Sequence, residues 1–243
     1  MSQLGWESAS LAGFELPAGR IRPGETLHLQ LPWRYQLLLL HDWLAARPAD
    51  DAHSPAWLEM ETERIACGSR PFNDRVCVLL ANWGMLANLS IRENLLLSFL
   101  YHGDPASIAA AEAQLPQVAE QLDLLWCLDE QAGERPPHVH ALIGLGRVLL
   151  LRPQFVIMQE ILAALPPERL FEFEKLVRRV LSGCNAGLLY LSELAQDEIR
   201  ERQLLQTLRM QQYGGEEERS IFDFDRSIVP GGSGEEIDVD GVT

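Results

Sequence analysis

Three short apolar runs constrain this chain more than any other feature: residues 75–80 (RVCVLL), 155–158 (FVIM) and 187–191 (GLLYL). None alternates with polar residues, so each reads as a strand buried on both faces, as inside a parallel sheet. Parallel strands need long crossovers, and the intervening sequence supplies helices. Ser90 and Glu93 form a capping-box pattern that predicts a helix over 91–101. An Ala- and Gln-rich stretch predicts a second over about 105–125, and further helices are expected at 138–151 and, amphipathic, at 167–181. Strand and helix thus alternate at both ends around a mainly helical block, roughly 88–146, which argues an α/β parallel sheet with a helical insertion.

Ahead of this pattern, alternating Phe14, Leu16, Ile21, Leu27, Leu29 and Leu31, with turns at 17–19 and 23–24, predict a β-hairpin whose second strand is 26–31. Pro32 should stop that strand, and residues 35–46 have the apolar density of a buried helix ending before Pro48. Residues 57–65 are expected to add one more strand.

The 243 residues, 47% hydrophobic and 23% charged, suffice for one large folded domain and exclude wholesale disorder. A net charge of −15 without clustered basic residues argues against nucleic acid as a partner. No apolar stretch approaches the ~20 residues of a membrane span. Cys67, Cys77, Cys127 and Cys184 lie far apart, and the first residues lack the pattern of a secretory signal, so reduced thiols and a cytosolic location are expected. His138 and His140 have no acidic or thiol partner at ligand spacing, and no metal site is expected there. Residues 214–243 hold nine acids against two bases and are expected to form a solvated, disordered tail outside a domain spanning 1–213. A docking motif around Ile221–Phe224 is the sharper alternative, because two aromatics are wasteful in a purely solvating tail.

Three segments together resemble the ATP-binding subunit of ABC transporters. Residues 22–31 (RPGETLHLQL) look like the turn and strand leading into that family's phosphate loop. Residues 88–97 (NLSIRENLLL) look like the stretch after its Q-loop, and residues 146–165 like the helix that leads through Walker B to the D-loop. Order and spacing agree over about 14–195. The resemblance implies a P-loop-NTPase-like parallel sheet core, with N-terminal antiparallel β strands and a helical subdomain at about 88–146.

The family's chemistry does not come with the resemblance. A phosphate loop uses glycine amides and a lysine to hold a triphosphate, yet no glycine lies between Gly24 and Gly68, and the only lysine is Lys175. The loop's place is taken by residues 32–36 (PWRYQ), where Arg34 is the one cation available as a substitute. In the same alignment the Q-loop glutamine falls on Ala81, the signature motif on residues 134–137 (ERPP), the metal-holding aspartate on Gln159, the D-loop aspartate on Pro166 and the switch histidine on Glu193. Glu160 alone keeps the family's residue, that of the catalytic glutamate. Read by itself it is an acid at a strand end.

Trp6 falls where the family stacks an aromatic on adenine, although packing of the N-terminal strand also accounts for it. Ala81, Asn82, Trp83, Met85 and Leu86 form an apolar loop that, by the resemblance, lines the groove receiving the permease's coupling helix. The sequence therefore reads as a degenerate ABC-ATPase-like subunit, peripheral on the inner membrane through a permease and needing no cofactor. It would pair with an active ATPase subunit or with itself. The alternative is a divergent but active ATPase using ATP and Mg²⁺ through Arg34 and Glu160, and a third reading is a soluble adaptor. Residues 88–103 are most similar to cassettes of MCE-type lipid-transport systems.

Overall fold

The computed structural model describes residues 2–11, 14–60, 63–81, 84–160, 167–194, 198, 226–228 and 237–238. Its centre is a six-stranded sheet. Strand β5 (Thr26–Gln30) pairs in parallel with β10 (Gly187–Ser192), which pairs in parallel with β9 (Phe155–Gln159), and β8 (Val76–Leu79) closes that edge in parallel. The three apolar runs are thus neighbouring strands, and every residue of β9 and β10 is buried.

Alternate side chains of these strands feed two cores. Leu27, Leu29, Ile157, Leu189 and Leu191 face one side, where α1 (Trp33–Leu44) lays Leu39, Leu40 and Trp43 against them. Beyond α1 lies a second, antiparallel sheet in which β1 (Gln3–Trp6) pairs with β4 (Gly19–Ile21) and β6 (Ala56–Met60), and β6 with β7 (Glu63–Ala66). A small hairpin, β2 (Ala9–Leu11) with β3 (Phe14–Leu16), links β1 to β4, and the four-residue helix α2 (Arg70–Asn73) precedes β8. The other face, with Val156, Met158, Leu188 and Tyr190, is covered by α5 (Pro137–Leu151) and α6 (Pro167–Cys184).

A third core belongs to the helical block. Helices α3 (Ile91–His102) and α4 (Pro105–Gln121) pack on α5 through Leu95, Leu115, Ala119 and Ile143. The expected capping box is present: Ser90 Oγ accepts from Glu93 N, and Glu93 accepts from Ser90 N. Asp104 caps α4 through the Ala106 and Ser107 amides. No helix among the described residues is long and apolar enough to cross a membrane.

Three expectations are corrected. Residues 26–31 do not complete a hairpin. β4 pairs with β1 while β5 joins the parallel sheet, because the turn at Gly24 (φ +80°) redirects the chain between sheets rather than reversing it. Buried His28 gave this doubly buried strand a false look of alternation. Residues 57–65 form parts of two paired strands, not one. Helix α1 starts earlier than residue 35, since Pro32 serves as its N-cap residue. Within residues 214–243, β11 (Arg226–Ile228) pairs in parallel with β5, and β12 (Ile237–Asp238) pairs antiparallel with β11. The rest of that segment, including the Ile221–Phe224 motif, lies outside the described residues.

His28 is fully buried, 3.0 Å from Ser192 Oγ, and burial lowers its pKa to about 4. The unfolded chain therefore binds one more proton than the folded chain between about pH 6.5 and 4, so stability falls as pH drops through that window. The loss amounts to about 3 kcal/mol at its full extent. In urea titrations, His28→Leu should flatten this part of the pH profile relative to wild type. Gly19 meets a different constraint: a Cβ there would sit 2.1 Å from Trp6 Cζ2, so Gly19→Ala should cost roughly 1–3 kcal/mol in the same assay.

Candidate functional site

Only Leu31 and Pro32 separate β5 from α1. Leu31 N donates to Ser192 O (2.8 Å), which carries the β5–β10 ladder one residue further. Pro32 then turns the chain directly into the helix, its carbonyl accepting from Tyr35 N (2.8 Å) and Gln36 N (3.2 Å). Proline has no side-chain acceptor, and the first turn of α1 contains no acidic residue, so its exposed amides need an outside partner. Glu193, just beyond β10, provides one: Trp33 N donates to Glu193 Oε1 at 2.5 Å. A carboxylate there also meets the positive end of the helix dipole.

Glu193 is itself held. Its backbone N–H donates to Glu160 Oε1, which also accepts from Gln36 Nε2 (2.9 Å). Gln36 Nε2 donates in addition to Leu31 O (2.8 Å). Glu160 stands at the end of β9 with φ +47°, a left-handed conformation costing roughly 1–3 kcal/mol for a residue other than glycine. Its own N–H keeps the sheet ladder by donating to Leu191 O (3.0 Å). Behind it lies Gln159, 1% exposed. Among the described residues, Gln159 Nε2 and Gln36 Oε1 are buried without a partner.

The structure brings Glu160 and Glu193 together with Gln36, but separates them from the other candidates. Arg34 bends back along α1, its Nη2 donating to Tyr35 OH (2.5 Å) and its guanidinium lying 4.5 Å from that ring's centroid, while Tyr35 stacks on Phe14. Trp6 is 1% exposed, donates Nε1–H to Pro17 O and packs on Trp43 and Gly19. These contacts are those of a strand residue packed in the core. Pro137 opens α5 without an N–H, and residues 134–137 offer no glycine amide.

In the candidate partner loop, Ala81 is half-buried, Met85 packs on the helical core and Leu86 is 46% exposed; Asn82 and Trp83 lie outside the described residues. A buried clamp holds this loop. Arg147 of α5, 8% exposed, donates from Nε to Asn94 O (2.8 Å), from Nη2 to Asn94 Oδ1 (3.0 Å) and from Nη1 to Gly84 O (2.9 Å). Asn94 in turn accepts from Leu86 N (2.9 Å) and donates to Leu86 O (2.9 Å). Burial lowers the Arg147 pKa and pushes the neighbouring Cys77 thiol up to about 12. Beside the clamp, a cavity of about 500 Å³ opens between β8 and the α3–α4 turn, lined among others by Arg70, Asp74, Phe99, Asp104 and Arg147.

Sequence reasoning named Glu160 and Glu193 but missed Gln36, Asn94 and Arg147. A lone arginine inside the apolar run of α5 was the available signal for the clamp. Gln36, one polar residue in an apolar helix, was a weaker one.

Comparison with solved structures gives one consistent fold. An ATP-binding cassette of an ABC transporter in its ADP conformation matches with a TM-score of 0.60 at 16% identity, over 80% of this chain and 82% of that one. A nucleotide-free cassette matches at 0.59 and 17% identity, over 83% and 85%. CbiO1 from Clostridium perfringens, part of the ABC transporter complex CbiONQ, matches at 0.58 and 12%, over 79% and 78%. No family model and no curated protein matches the sequence. The chain has the fold of an ABC-transporter ATP-binding cassette, as the resemblance implied.

The clamp makes a quantitative expectation. Arg147→Met keeps the stem's packing but removes the guanidinium's bonds to Gly84 O, Asn94 O and Asn94 Oδ1, and should lower stability by about 3 kcal/mol. Hydrogen exchange should rise first over residues 84–90, ahead of the central sheet.

Proposed function

We propose that this chain is a subunit of an ABC-type transport complex that docks the membrane permease and does not hydrolyse ATP. Its role is structural or regulatory. The observation that carries this reading is Glu193 Oε1 on Trp33 N, an anion of the chain's own on the helix end where the fold otherwise receives phosphate.

The residues do not fit a magnesium triphosphate. A two-residue junction without glycine replaces the loop whose amides would surround phosphate. Arg34 is committed to Tyr35, and Lys175 lies on α6. Glu160 and Glu193 present two carboxylates to any entering anion, which is repulsive, and Gln159 stands where the metal-holding carboxylate is expected.

Docking is supported by a different set of residues. The Arg147–Asn94 clamp fixes the backbone of the 84–86 segment while leaving the Leu86 side chain exposed. A pre-ordered loop with an outward apolar side chain suits contact with a partner helix. The compared structures are described as cassettes of ABC transporters, one of them part of an assembled complex, which favours the same kind of partner here. The chain then sits on the cytoplasmic face through its permease, paired with an active ATPase subunit or with a second copy. The likeness of residues 88–103 points to lipid as the class of cargo.

Calorimetric titration with Mg-ATP to millimolar concentration should show no heat, and Glu160→Gln should leave that result unchanged. Micromolar binding, with turnover lost in Glu160→Gln, would instead establish a divergent ATPase. Leu86→Glu, at an exposed position, should retain the wild-type melting curve while reducing co-purification of the permease about tenfold, some 1.4 kcal/mol of contact. Unchanged co-purification would remove the docking surface from the proposal.

A further inference from the structure

We infer that the Glu193 carboxylate is a permanent occupant of the anion seat at the start of α1, a latch that ties this helix to the strand ends and holds this end of the cassette in one arrangement. The inference rests on the non-hydrolysing reading above and adds how that state is maintained.

Three hydrogen bonds close a ring, and a fourth ties it to the end of β5. Trp33 N, on α1, donates to the Glu193 side chain. The Glu193 backbone N–H donates to Glu160 Oε1. The same oxygen accepts from Gln36 Nε2, and Gln36 is again on α1. Gln36 Nε2 also reaches Leu31 O, so the end of β5 is held too. The ring therefore spans the carboxyl ends of β5, β9 and β10 and the first turn of α1, the place where a ligand of an open α/β sheet is expected.

Each member is in position for an independent reason. Pro32 and the non-acidic first turn leave α1 without a local cap, so the carboxylate meets an amide with no other side-chain acceptor. Glu193 follows Ser192, whose carbonyl is fixed by Leu31 N and whose hydroxyl lies against His28. The left-handed backbone of Glu160 aims its carboxylate back across the strand ends, a strain that persists only where surrounding contacts outweigh it. A diffusible phosphate would bind and leave with its concentration, whereas a side chain on a strand end has a fixed, high effective concentration. The subunit gains a stable junction and loses the means to cycle it.

The full-length protein tests this at pH 7.5, where His28 is neutral, by following melting temperature in rising inorganic phosphate against chloride of matched ionic strength. Wild type should show no phosphate-specific shift. Glu193→Ala should melt about 2–4 °C lower, recover part of that loss in phosphate as the vacated amide takes an external anion, and exchange its Trp33 amide at least tenfold faster. Glu193→Gln, which keeps an acceptor without the charge, should fall between them. If Glu193→Ala melts with wild type, keeps its Trp33 protection and ignores phosphate, the latch is wrong and the non-hydrolysing reading stands. If wild type is itself stabilised by phosphate and by Mg-ATP, the seat is open and both fall.

Discussion

A parallel sheet built from strands such as FVIMQ and GLLYLS must be covered on both faces, and that requirement organises this molecule. One face receives α5 and α6. The other receives α1, which is covered in turn by the antiparallel sheet, so that helix becomes the middle layer of a sandwich with Trp43 and Trp6 meeting across it. Burying Leu39, Leu40 and Trp43 there contributes roughly 1.5–3 kcal/mol per large side chain. A helix so placed is not free to slide. Where it begins is set by where β5 ends, and the chain spends two residues on the passage.

That short passage explains the polar chemistry around it. A longer glycine-rich loop would wrap its own amides around a ligand. A Pro-capped helix presents bare amides and needs an acceptor from elsewhere, and strand β10 carries one past its end. The same logic, a buried polar demand met from a distant element, recurs beside the β8 edge of the sheet. Arg147 reaches from α5 to the carbonyls of Gly84 and Asn94, and so joins the helical block to the strand that feeds it. One junction is held by carboxylates, the other by a guanidinium. Between them the sheet is tied to α1 at one site and to the inserted helices at the other.

The regular parts of this architecture were legible in the sequence because burial on two faces and helical capping leave local marks. The runs at 75–80, 155–158 and 187–191, and Ser90 with Glu93, indicate strands and a helix start without tertiary information. The pairing of β5 was misread because a single buried histidine mimics the polar beat of a half-exposed strand, and its hydrogen bond to Ser192 shows how a polar ring is accommodated there. The site was half legible. Loss of glycine and lysine is visible in composition, and Glu193 in an alignment. That its carboxylate turns onto α1, or that Gln36 clasps Glu160, depends on contacts 160 and 124 residues apart, which no local pattern encodes.

Strand β11 lies beside β5, and β12, two residues long, is the last rung outward from it. Without those few residues, β5 would become the rim of the sheet, presenting its unpaired N–H and C=O groups to any other chain. Trimming the acidic end to obtain a tidier protein would therefore open a sticky margin next to the one junction that most needs to stay closed.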